Sequence, residues 1–198
     1  MTDAAALIEQ APIQDQDLLL RLNQYFDVLD QRLRHGQGWF IFNAAGGRLN
    51  RIAGFIQAKL SADHATVDSY LMLWRDFALS AYVNEVGLAE IGPGKDGEFS
   101  NEHQKHEFEL ARYVTEDTCA RLIYSDMLVL IGMQPSSWHE ALFLGRTIDE
   151  RYQRKLATIL LTSDMPHTLQ SEFDGVDPSG TLWSRLFARM YETSLVAL

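Results

Sequence analysis

The sequence predicts an α/β fold, a three-layer domain in which a parallel sheet lies between two layers of helices. Two observations carry the prediction. Three uninterrupted apolar runs, Trp39-Phe40-Ile41-Phe42, Met127-Leu128-Val129-Leu130-Ile131 and residues 157–162, have the length and composition of strands buried on both faces. Between them lie segments whose apolar residues recur every three or four positions, as on the buried face of a helix. Strands and helices alternating in this way build parallel sheets.

Taken in order, Leu18, Leu19, Leu22, Tyr25, Phe26, Leu29 and Leu33 mark an amphipathic entry helix. His35-Gly36-Gln37-Gly38 breaks it, and the run from Trp39 to Phe42 is the first core strand. Asn43-Ala44-Ala45-Gly46-Gly47 is a small-residue turn, after which Leu49, Ile52, Ala53, Ile56 and Leu60 restore helical spacing. Val67, Leu71, Trp74, Ala78, Ala81 and Tyr82 mark the next helix, leaving room for a short strand over residues 64–67. Gly92-Pro93-Gly94-Lys95-Asp96-Gly97 is a loop, because glycine and proline at this density stop regular structure. Helix is expected over residues 101–122, strand over 127–131, helix over 138–155 capped by Pro135-Ser136-Ser137, and strand over 157–162. A polar connection through Asp177-Pro178-Ser179-Gly180 then leads to a last helix over residues 181–192. The expected organisation is an N-terminal helical extension, residues 1–35, and one α/β domain, residues 36–198.

Composition bounds the function. The chain has 198 residues, 46% of them hydrophobic, enough for one domain with a sizeable core. Its 27 acidic residues against 17 basic ones give a net charge of −10, which repels phosphate backbones and anionic lipid. The single cysteine, Cys119, can form neither an internal disulfide nor a multi-cysteine zinc site, which points to a reducing compartment. The start carries acidic residues where a signal peptide has basic ones, and no apolar run reaches the roughly 18 residues that span a bilayer. A cytoplasmic protein without a membrane partner is expected.

The strand, glycine turn and helix from Trp39 to Leu60 have the layout of a phosphate-binding loop, in which glycine amides cradle phosphates, a lysine neutralises them and a hydroxyl holds magnesium. The residues that do this are missing from the window 43–50. Asn43 stands for the first glycine, Arg48 for the second, Leu49 for the lysine and Asn50 for the serine or threonine; Gly46 and Gly47 persist. Leucine offers a triphosphate neither charge nor a hydrogen bond.

Beyond this loop the chain resembles the AAA+ ATPases that load replicative helicases or assist transposition, of the DnaC, DnaI and IstB type. The resemblance covers most of the chain from Gly38 and is best over Pro135-Ser136-Ser137-Trp138, Ile148-Asp149-Glu150-Arg151-Tyr152 and Ala157-Thr158-Ile159-Leu160-Leu161-Thr162-Ser163. It implies an AAA+/P-loop-like core. It also implies that Ser184-Arg185-Leu186 corresponds to the segment supplying an arginine to a nucleotide at a subunit junction. The departures are specific. The Walker B strand should end in two acidic residues, one ordering magnesium and one polarising water, yet Leu130 runs into Ile131-Gly132-Met133. The sensor asparagine position reads Asp164, whose charge repels a γ-phosphate. The resemblance therefore implies degenerate Walker motifs, with no bound nucleotide cofactor and no hydrolysis.

Other candidates have bland alternatives. His103, His106 and Glu107 share one helical face and form a possible metal cluster, against the favoured reading of a charged, solvated helix start. His139-Glu140 reads as a surface pair. Arg146, Arg151, Arg154 and Lys155 cluster on one helix, as a solvated face or as a surface for an acidic partner, with Arg151 and Arg154 the interaction candidates. Arg185 and Arg189, four residues apart, are either solvent-facing or reach a partner. The leading expectation is a non-catalytic AAA+-like adaptor or regulatory subunit in DNA replication or mobile-element function, its partner an active AAA+ ATPase or a helicase. The alternative is an ATP-independent module that binds single-stranded nucleic acid.

Overall fold

The computed structural model describes residues 15–86 and 102–198. The glycine-rich segment 92–97 lies outside the described residues. Helices α1 (Gln16–Asp27) and α2 (Leu29–Arg34) lead into strand β1 (Gly38–Ile41), followed by α3 (Gly47–Ala62), β2 (Ser69–Leu73) and α4 (Trp74–Val86). Then come α5 (Glu102–Tyr124), β3 (Met127–Ile131), α6 (Trp138–Arg154), β4 (Ala157–Leu161), α7 (Pro166–Val176), α8 (Thr181–Thr193) and β5 (Ser194–Ala197).

The strands form one parallel sheet in the order β2-β3-β4-β1-β5. Alternate residues of a strand face opposite sides, and each side has its own core. Trp39, Ile41, Val129, Ile159 and Leu161 pack with Leu22 and Phe26 of α1, Leu29 of α2 and Ile52 and Ile56 of α3. Phe40, Leu128, Leu130 and Leu160 pack with Phe77 of α4, Leu144 of α6, Phe173 of α7 and Leu186 of α8. This is the predicted three-layer arrangement. At the foot of β1, Gly38 passes so close to β4 that a Cβ there would run into the Thr158 carbonyl.

Within the segment read as an N-terminal extension, the described residues Leu18, Leu22, Tyr25, Phe26 and Leu29 are buried in the core on one side of the sheet. Elsewhere the structure corrects several expectations. Residues 64–67 are not a strand; the second strand is β2, and it absorbs Leu71, which the helical spacing had assigned to the following helix. Strand β2 is at an edge and half-buried, so it lacks the solid apolar run of a central strand. Helix α7 occupies part of the expected polar connection and buries only Leu169 and Phe173, too sparse a stripe to show as periodicity. Strand β5 follows α8 with no breaker between them, since Ser194 both donates its amide to Met190 O at the helix end and opens the strand.

Candidate functional site

Open parallel sheets bind ligands at the carboxyl ends of their strands, and there the loop from β1 to α3 meets the ends of β3, β4 and β5. The loop is strapped down by its backbone. Phe42 N donates to Ala197 O (2.9 Å), Asn43 N to Asp164 O (3.0 Å) and Ala44 N to Thr162 O (2.8 Å). Asn43 and Gly46 both take positive φ, and Gly47 opens α3. The structure thus brings Asn43, Gly46, Gly47, Arg48, Leu49, Asn50 and Asp164 together.

Arg48 is committed to the protein itself. Its guanidinium donates to Asn43 O (2.9 Å), to Asp15 Oδ2 (3.2 Å) and to Leu198 O (3.4 Å). Leu49 is half-buried against the core on the α3 side of the sheet, and its Cδ2 lies 3.5 Å from where a Cβ on Gly132 would stand. Leu49 therefore lies beside the turn at Gly132 that follows β3. Gly132 itself has φ +78°, and its amide and that of Met133 both donate to Leu161 O (3.0 and 2.8 Å). A branched or charged side chain is strained in that conformation. Asp164 is fastened to its own strand end, its amide donating to Thr162 Oγ1 (3.1 Å).

Helix α6 begins with a reciprocal cap. Ser137 Oγ accepts from Glu140 N (3.3 Å), and the Glu140 carboxylate accepts from Ser136 N (3.2 Å), Ser136 Oγ (2.8 Å), Ser137 Oγ (2.9 Å) and Trp74 Nε1 (3.1 Å). Glu140 is buried, which corrects the reading of His139-Glu140 as a surface pair. The serine followed three positions later by glutamate was the sequence signal for this cap.

Arg151 is likewise not an interaction residue. It is fully buried, with Nε donating to Thr158 Oγ1 (2.9 Å), Nη1 to Leu122 O (3.0 Å) and Ser125 O (2.9 Å), and Nη2 to Ala157 O (2.6 Å). Burial pushes its pKa down to about 10, still a cation at neutral pH. The fork ties the end of α5 to the start of β4, a role that charge periodicity cannot distinguish from exposure. Arg154, on the same helix, is exposed, pairs with Glu150 (3.4 Å) and lies 4.8 Å from the centroid of Tyr124. Arg185 and Arg189 converge on Asp149 of α6, at 2.5 and 3.4 Å, and Arg189 also lies 4.2 Å from the centroid of Tyr152. The Arg185 side chain is 63% exposed. His103 and Glu107 pair at 3.1 Å on an exposed face of α5, and His106 is exposed too. Among the described residues no three His, Cys, Asp or Glu side chains are grouped to hold a metal, and no helix is long and apolar enough to cross a membrane.

No family description matches this sequence, and no curated protein matches it. Solved structures do match. A crystal structure of the DnaC helicase loader superposes with a TM-score of 0.54 at 16% identity, covering 94% of this chain and 90% of that one. The chain has the AAA+ fold of the DnaC helicase loader. A DNA replication initiation factor superposes with a TM-score of 0.50 at 17% identity over 88% of this chain, which spans 45% of that protein. At these identities it is the AAA+ fold that is shared, and the loop, Asp164 and Gly132 described above lie at the carboxyl end of that fold's sheet.

Proposed function

We propose that this chain is an AAA+-fold adaptor or regulatory subunit that acts through protein contacts and neither binds nor hydrolyses nucleotide. The observation that carries the reading is Leu49 itself, which holds the lysine position of the loop layout and packs half-buried against the core instead of offering a cation. Phosphoryl transfer is almost wholly positioning and electrostatic stabilisation by a lysine, a metal and its carboxylates, and at this site those positions hold leucine, isoleucine and glycine. Arg48 does not stand in for the lysine, because its guanidinium is held by Asn43 O, Asp15 and Leu198 O. The fold neighbours, a helicase loader and a replication initiation factor, support a setting in DNA replication, with an active AAA+ ATPase or a helicase as partner.

Calorimetry with ATP and magnesium tests the first half of the reading. No binding heat is expected at millimolar nucleotide, and micromolar binding overturns the reading.

A further inference from the structure

The strands run parallel, so the segments that enter them gather at one end of the sheet, opposite the loop at Asn43. There a cavity of about 360 Å³ lies between the end of α6, the end of α8 and the turn before β1. Its floor is apolar, made by the buried side chains of Ile148 and Met190. Two of its polar groups are donors left without an acceptor. Among the described residues the Lys155 ammonium has no hydrogen-bond or ion-pair partner, nor has the His35 ring beside it. Thr158 is buried at the same cavity, where its Oγ1 accepts from Arg151 Nε (2.9 Å) and no described group accepts its hydroxyl hydrogen. The neighbouring carboxylate, Glu192, is taken up by the Tyr152 hydroxyl (2.5 Å) and Arg189 (4.0 Å).

The charges point the same way. Arg151 is a buried guanidinium whose hydrogen bonds all go to carbonyls and hydroxyls, and among the described residues no carboxylate pairs with it; Asp126 and Asp68, whose charges favour its cationic form, are exposed. Buried charges are ordinarily paired with an opposite one. Lys155 adds a second cation, and does so from φ +55° and ψ +44°, the conformation in which a helix end ordinarily holds glycine. Its backbone is clamped there by Gly36, where a Cβ would come within 2.6 Å of the Lys155 carbonyl carbon.

We propose that this cavity binds a small carboxylate with a short hydrocarbon body, its anion taken by Lys155 and the Thr158 hydroxyl and its body laid on Ile148 and Met190. The anion supplies the counter-charge that the fold gives to neither Arg151 nor Lys155. A cavity of this volume suits a small molecule, and its apolar floor favours one with a hydrocarbon part over a bare inorganic anion. The site lies at the far end of the sheet from the degenerate loop, so it stands whether or not that loop binds nucleotide.

Methyl-resolved NMR of the whole chain, titrated separately with hexanoate, hexanol and inorganic phosphate, tests this. Hexanoate should shift the methyl signals of Ile148, Thr158 and Met190 at millimolar concentration. Hexanol, which has the body without the charge, and phosphate, which has the charge without the body, should leave them in place. Lys155→Met keeps the stem and removes the ammonium, and should weaken hexanoate about tenfold, the loss of one hydrogen bond to a charged group. The proposal is overturned if hexanoate leaves those three methyls unmoved, if hexanol or phosphate moves them at the same concentrations, or if Lys155→Met titrates as the wild type does. Should Lys155→Met displace the Ile52 and Ile56 methyls across the sheet before any ligand is added, Lys155→Gln is read in its place by the same outcomes.

Discussion

Arg151 donates to four backbone carbonyls and two hydroxyls from a position with no solvent exposure. Truncating it strands those acceptors in a dry interior, and the loss of one side of such a buried charged network costs about 3 to 5 kcal/mol. Arg151→Ala should lower the unfolding free energy in urea by that amount, and Arg151→Lys should recover only part of it, because one ammonium cannot match a planar fork. Asp177 is a second residue with a readable consequence. Its carboxylate accepts from Ser179 Oγ (2.6 Å), Ser179 N (3.1 Å), Thr181 Oγ1 (3.2 Å) and Leu182 N (2.8 Å), and these hydrogen bonds, that of the Ser179 hydroxyl foremost, hold its pKa below the ordinary carboxylate value. A carboxyl depressed in the folded state stabilises the fold above its unfolded pKa of about 3.9 and loses that contribution as pH falls through the folded value. Urea midpoints measured downward from pH 6 should therefore fall less steeply below about pH 4 in Asp177→Asn than in the wild type.

At the scale of elements, the central strands were legible because burial on both faces leaves a solid apolar run: Trp39, Phe40, Ile41, Leu128, Val129, Leu130, Ile159 and Leu160 are all buried in β1, β3 and β4. The edge strands were not. Strand β2 exposes part of every turn of its pleat, so Leu71 fell into step with Trp74 and Ala78 as if on a helix, and β5 is four residues joined directly to α8. The candidate loop was legible in its residues, since Leu49 and Arg48 announce what is missing. What they do instead was not, because the partners of Arg48 lie at Asp15 and Leu198, far away in sequence. The pairing of β1 with β4 depends on Gly38. Any side chain there meets the Thr158 carbonyl, which is backbone and cannot rotate aside, and the peptide that would have to move carries the strand. Gly38→Ala should abolish cooperative thermal unfolding or leave the chain insoluble, whereas Gly46→Ala, where no atom lies within 4 Å of the new Cβ, should cost only the backbone strain of φ +52° with ψ −131°, about 1 to 3 kcal/mol.

At the scale of the whole molecule, the proposed adaptor role makes Arg185 its most exposed test. Asp149 holds both Arg185 and Arg189, so Arg185→Ala leaves the carboxylate paired, and an ion pair this exposed on its cationic side contributes little to stability. Folding should be nearly unchanged, while the ATP turnover of a copurifying AAA+ partner should fall in a mixed assay; an unaltered partner rate would assign Arg185 to the surface. The strand order carries a consequence of a different kind. Strand β1 is made early, yet both its neighbours come late: Trp39 pairs with Ile159 on one side and Leu195 on the other. As the chain leaves the ribosome, Trp39-Phe40-Ile41-Phe42 has no strand to join until β4 has been synthesised, and the sheet cannot close on its other side until α8 is complete. Folding must then wait on contacts distant in sequence, which places this chain among the slower folders. For most of its synthesis its stickiest segment is bare, and α1, already made and packing on Trp39 through Tyr25, is the shelter available to a nascent chain at that stage.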